Sequence, residues 1–186
     1  MGRRQPAARR ACARQSVSWL TTLFSRAPRL YTGRTVPADE IRVAFGVAGT
    51  VIGLGKRTYA EVDSGAVVWL AQQARDALWR EGINRWQKNA TCTLFAAKFA
   101  TLANEKFYAA AFFERSGSPL TSAGSIALAV GEVWFHPDTT PPGEDHAIGC
   151  AFTERGLLAV DPQSPDTLRE LSATERLTIR PETRFL

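Results

Sequence analysis

No aspartate or glutamate occurs before Asp39, although eight arginines do: Arg3, Arg4, Arg9, Arg10, Arg14, Arg26, Arg29 and Arg34. Against a formal net charge of +5 for the whole chain, this segment's +8 leaves −3 for the remainder. The pI near 9.5 therefore belongs to the first residues. It gives no charge argument for a nucleic-acid groove in the body of the chain. Cysteine is scarce: Cys12, Cys92 and Cys150 make an odd count with no CxxC or metal-ligand spacing. That excludes a disulfide framework and a structural zinc site, and a reducing compartment such as the cytoplasm fits best. Long apolar runs are also missing. The stretch 17–24 is too short to span a bilayer and too interrupted for a secretory signal, so no transmembrane segment is expected.

What is there suits one globular domain. The chain has 186 residues and 45% apolar content, and five Trp and ten Phe supply large buried area. Composition divides it into a basic, flexible arm over 1–35, a domain over 36–165, and a C-terminal extension over 166–186 packed on or trailing the domain. The arm reads in three ways: a solvated arm or misread start, an organelle-type targeting peptide, or a segment that contacts a polyanion or an anionic membrane surface.

Pro37 or Asp39 can open a short helix that ends in a glycine-rich connection. Asp63 can cap a second helix, with Val67, Leu70, Ala71, Ala74 and Leu78 at helical spacing up to Gly82. The strongest helical pattern runs from Cys92 to Phe113, with Phe95, Phe99, Leu102, Ala103 and Phe107 three or four apart. Strands are expected over 126–135, 146–153 and 157–160, the last two joined by a hairpin turn at Glu154-Arg155-Gly156. Helices first and a small antiparallel sheet after them make an α+β arrangement.

A cysteine at a helix N-terminus meets unpaired N–H groups and the positive end of the macrodipole, and both favour the thiolate. Cys92 has that address. The chain's two histidines, His136 and His146, compete for the partnering role. His146 opens a strand while His136 precedes Pro137 where a strand ends, and the spacing favours His146. Asp161 closes the strand after the hairpin and can orient an imidazole beside it, or simply start a turn before Pro162. Gln87 and Gln163 are amides near enough in sequence to serve as oxyanion donors or site neighbours. Cys150 shares a strand face with His146, either as a buried apolar residue or as a resolving thiol.

The segments Thr91-Cys92-Thr93-Leu94-Phe95-Ala96, Asp145-His146-Ala147-Ile148 and Val160-Asp161-Pro162-Gln163 resemble three motifs of the papain-like cysteine protease domains of the Marasmius oreades agglutinin type, which have stand-alone bacterial and phage relatives. Leu54-Gly55-Lys56-Arg57-Thr58-Tyr59 and Gly131-Glu132-Val133 resemble the framework of the same family. The resemblance covers about residues 36 to 165. It implies a papain-like fold with Cys92 as nucleophile, His146 as general base and Asp161 as orienting acid. The family's calcium-binding acids are replaced by Thr91, Thr93 and Leu94, so no metal and no cofactor is carried over.

The leading expectation is a thiol hydrolase, a cysteine peptidase cleaving a peptide or other amide through a Cys-His-Asp triad and an acyl-enzyme. The alternatives are a non-catalytic binding or phage-structural module on a papain-like fold, and an acyltransferase of transglutaminase type or a cell-wall amidase. Oligomeric state stays open.

Overall fold

The computed structural model describes residues 27–46, 53–83, 91–113, 126–137 and 145–186. The first strand, β1 (Tyr31–Pro37), precedes any helix. It runs antiparallel to β3 (Thr58–Val62) and is tied to it by side chains. Thr32 Oγ1 donates to Glu61 at 2.7 Å, and the Arg34 guanidinium spans Glu61 at 2.5 Å and Glu40 at 2.6 Å. Glu61 is almost fully buried and needs these partners, since a buried unpaired carboxylate is costly. Between the two strands lie α1 (Ala38–Phe45), which buries Ile41 and Phe45, and β2 (Gly53–Leu54).

Helix α2 (Ser64–Arg80) starts where the sequence places it. Asp63 is the N-cap and accepts from the Gly65 N–H at 2.9 Å. It buries Ala66, Val67, Leu70, Ala71, Ala74 and Leu78. Helix α3 (Thr91–Phe113) follows and packs on α2. Next come β4 (Ala127–Leu128), β5 (Val130–Phe135), β6 (His146–Thr153) and β7 (Gly156–Val160), then β8 (Leu168–Arg169), α4 (Ala173–Leu177) and β9 (Arg184–Phe185). The β6–β7 hairpin closes through Gly156 at φ +93°, a left-handed position that glycine takes without strain.

The nine strands form one mixed sheet, with the path β1-β3-β6-β5-β9-β2 and with β4, β7 and β8 paired beside it. Pairs β3/β4, β3/β6 and β2/β9 are parallel, and the others are antiparallel. This corrects the papain-like α+β expectation of helices first and a small antiparallel sheet after them. Three strands precede α2, and the sheet spans the chain from Tyr31 to Phe185. The reason is burial: Tyr59, Ala60 and Val62 of β3 are fully covered, so this strand is the sheet's interior and not a loop beside it.

The C-terminal segment is built into the sheet. Phe185 of β9 is buried edge-on against Phe45 and Tyr59, at 6.1 and 6.0 Å between ring centres. A Cβ on Gly131 would lie 2.2 Å from the Arg184 carbonyl oxygen, so only glycine lets β9 come this close to β5. Among the described residues no helix is long and apolar enough to cross a membrane. Residues 1–26, which carry most of the basic arm and Cys12, lie outside the described residues, as does Gln87.

Candidate functional site

Helix α3 lies on β5 and β6, and one contact sets its register. A Cβ on Gly149 would lie 2.6 Å from Phe99 Cδ1, so the Phe99 ring sits directly on the bare backbone of β6. A helix advances about 1.5 Å per residue and a strand about 3.4 Å. Seven residues back from Phe99 and three back from Gly149 are thus each about 10 Å. These two steps reach Cys92 and His146, which the fold brings together.

The Cys92 thiol is half-buried in the first turn of α3. It is lowered from 9.0 to about 7, first by its hydrogen bond with the His146 ring, with further help from the Ala147 backbone and the Thr93 side chain. Burial opposes this shift but does not cancel it. His146 moves the other way, from 6.5 to about 9, held first by Asp161 and then by Cys92. Its Nε2 lies 3.7 Å from Asp161 Oδ2, an ion-pair contact longer than a hydrogen bond, which leaves Nδ1 for the thiol. The Phe135 ring meets the imidazole edge-on at 6.1 Å and limits its tilt. Between about pH 7 and 9 the arrangement favours thiolate and imidazolium together.

Asp161 lies in a turn before Pro162 and also faces the imidazole. Its Oδ1 accepts the Gln163 N–H at 2.9 Å in a turn, while Oδ2 faces His146. The Gln163 side-chain nitrogen is buried beside this turn without a hydrogen-bond partner. His136 stands elsewhere: its Nδ1 is 3.8 Å from Asp145, which also pairs with Arg180. Cys150 is fully buried, and burial pushes its thiol up, so it stays protonated. Among the described residues no group of three or more His, Cys, Asp or Glu could hold a metal ion. Sequence reading missed Phe99 and Gly149 as the contact that aligns the site. A glycine in the middle of an apolar strand is the signal that could have found it.

No protein-family model matches the chain, and no curated protein does. The fold is similar to that of PSL1a, the Polyporus squamosus lectin, in its complex with E64. The TM-score is 0.51 at 13% identity, over 78% of this chain and 49% of that one. A second structure, Polyporus squamosus lectin bound to the human-type influenza-binding epitope, gives a TM-score of 0.48 at 13% identity, over 78% of this chain and 48% of that one. The chain thus spans about half the length of the structures it matches.

PSL1a, whose fold this chain shares at a TM-score of 0.51, is a lectin. The resemblance to papain-like cysteine proteases read from the motifs is corrected on this finding. The expectations attached to it, a hydrolase or thiol protease of phage or bacterial type, are corrected with it.

Proposed function

We propose that the chain is a ligand-binding domain whose site is a reactive thiol, with Cys92 as nucleophile, His146 as general base and Asp161 as the residue that orients the ring. The observation that carries this reading is the hydrogen-bonded Cys92–His146 pair at a helix N-terminus, with Asp161 3.7 Å behind it. The likeness to PSL1a supports the binding half of the reading.

The chemistry that suits such a pair is acyl transfer. The Cys92 thiolate attacks an acyl carbon and forms a thioester, and the His146 imidazolium gives its proton to the departing group. An amine or other acceptor then attacks the thioester, His146 takes the acceptor's proton, and the thiolate leaves. The backbone N–H of Cys92 stands at the start of α3, where a developing oxyanion would form. Gln163 is proposed as a neighbour of the site on the strength of its unpaired, buried amide nitrogen.

The test uses p-nitrophenyl acetate as an acyl donor, with mass analysis of the Cys92 peptide. An acetyl group on Cys92, absent in His146→Ala and on Cys150, is the expected result. E64, the compound in the PSL1a complex, gives a second probe read at the same peptide. An unmodified Cys92 under both reagents would sink the chemical half. The second reading would then stand: a non-catalytic module binding a carbohydrate-bearing ligand, favoured by the lectin likeness and tested by glycan binding of the Cys92→Ala form.

A further inference from the structure

The residue just before His146 is held by a group distant in sequence. Arg180 Nε lies 3.1 Å from Asp145 Oδ2, and its Nη2 donates to Oδ1 at 3.1 Å, a two-point fork that fixes a carboxylate in plane as well as in place. The arginine is itself anchored. Its backbone N–H donates to the Trp134 carbonyl at 2.8 Å, and Thr178 Oγ1 accepts the His136 N–H at 3.0 Å and donates to the His136 carbonyl at 3.1 Å. Thr183 Oγ1 accepts the Trp134 N–H at 3.0 Å, and β9 pairs with β5 at Gly131 and Glu132. The segment 178–185 thus runs along β5 and reaches past its end to the start of β6.

From this geometry we infer that Arg180 is a positioning residue for His146, acting through Asp145. The inference rests on the thiol reading proposed above. His146 is the first residue of β6, where the ladder on one side is its pairing with Phe135. A strand's first residue is prone to fray, and the fork pins the residue next to it. Among the described residues, the titratable and charged groups around the arrangement are Cys92 from α3 and Asp161 after β7, which face His146, and Arg180 and His136, which face Asp145. His136 approaches Asp145 only at 3.8 Å, so Arg180 does most of the holding.

The experiment follows iodoacetamide alkylation of Cys92 against pH in the full chain, together with thermal melting, for wild type, Arg180→Gln, Arg180→Lys, Asp145→Asn, His136→Gln and His146→Ala. Arg180→Gln and Asp145→Asn are expected to move the half-point upward by about half a unit, roughly a threefold loss of thiolate at fixed pH. Arg180→Lys should keep most of the wild-type profile, and His136→Gln all of it. Asp145→Asn preserves the side chain's shape and carries the test if Arg180→Gln fails to fold. Lower melting temperatures with an unchanged profile in both would make the fork merely structural and overturn the inference. A different failure belongs to the underlying reading: wild type and His146→Ala would both alkylate like a free thiol.

Discussion

His146→Ala is expected to move the half-point of Cys92 alkylation from about 7 toward the 9.0 of an unperturbed thiol. The thiolate is the reacting species, so the rate rises with pH through the thiol's pKa, and a higher pKa delays that rise. Two units remove about 99% of the thiolate at a pH well below both values. The remaining thiolate is more basic and so more nucleophilic, which returns about a factor of ten at a Brønsted slope near 0.45. The net expectation is alkylation slowed about tenfold at about pH 6, with the two profiles crossing near about pH 8 and the more basic thiolate of His146→Ala reacting up to about tenfold faster once both thiols are ionised. Mass analysis of the Cys92 peptide separates it from Cys150, whose buried thiol stays unreactive. Superimposed profiles for the two proteins would mean that no ion pair activates Cys92.

Gly149→Ala tests how the fold makes the site. The new methyl group would sit 2.6 Å from Phe99 Cδ1 and 3.0 Å from two further ring carbons, so the ring or the helix must give way. Overpacking of this kind costs about 1–3 kcal/mol. The lost stability should appear as a lower denaturation midpoint. Since Phe99 and Cys92 ride on the same rigid helix, displacing one draws the other from His146, and the alkylation half-point should rise as well. Stability and reactivity falling together is the signature of this contact. A destabilised protein with wild-type reactivity would show that Cys92 is placed by something other than the seat of Phe99 on β6.

The parts of the site legible in the sequence are those that rest on local rules. Asp63 announces the start of α2, the run of Phe at helical spacing announces α3, and Gly156 announces the hairpin that brings Asp161 back beside β6. From these, Cys92 at a helix start and His146 at a strand start could be set down as candidates before any fold was known.

The sheet was less legible. Strand β3 carries Glu61 in its interior and follows Lys56-Arg57, so its charges mask a buried strand. Glu61 is tolerated only because Arg34 and Thr32 arrive from β1, 27 and 29 residues earlier. Strand β9 is two residues long, too short for any period to register, yet it carries Phe185 into the core. The parallel join of β3 to β6 is a single pairing, Val62 to Thr153, dictated by packing and not by local pattern. The Arg180–Asp145 fork spans 35 residues and left no trace in either segment's composition.

The charge state of the His146 ring at about pH 8, between the two half-points of the pair, tests the central claim most directly. Nitrogen-15 spectra of the imidazoles, assigned by comparison with His146→Ala, report protonation of each ring nitrogen separately. The account predicts that His146 carries protons on both nitrogens at about pH 8 and loses one near 9, while the Cys92 thiol is already ionised. A His146 ring that is neutral at about pH 8, with a Cys92 thiol still protonated, would contradict it.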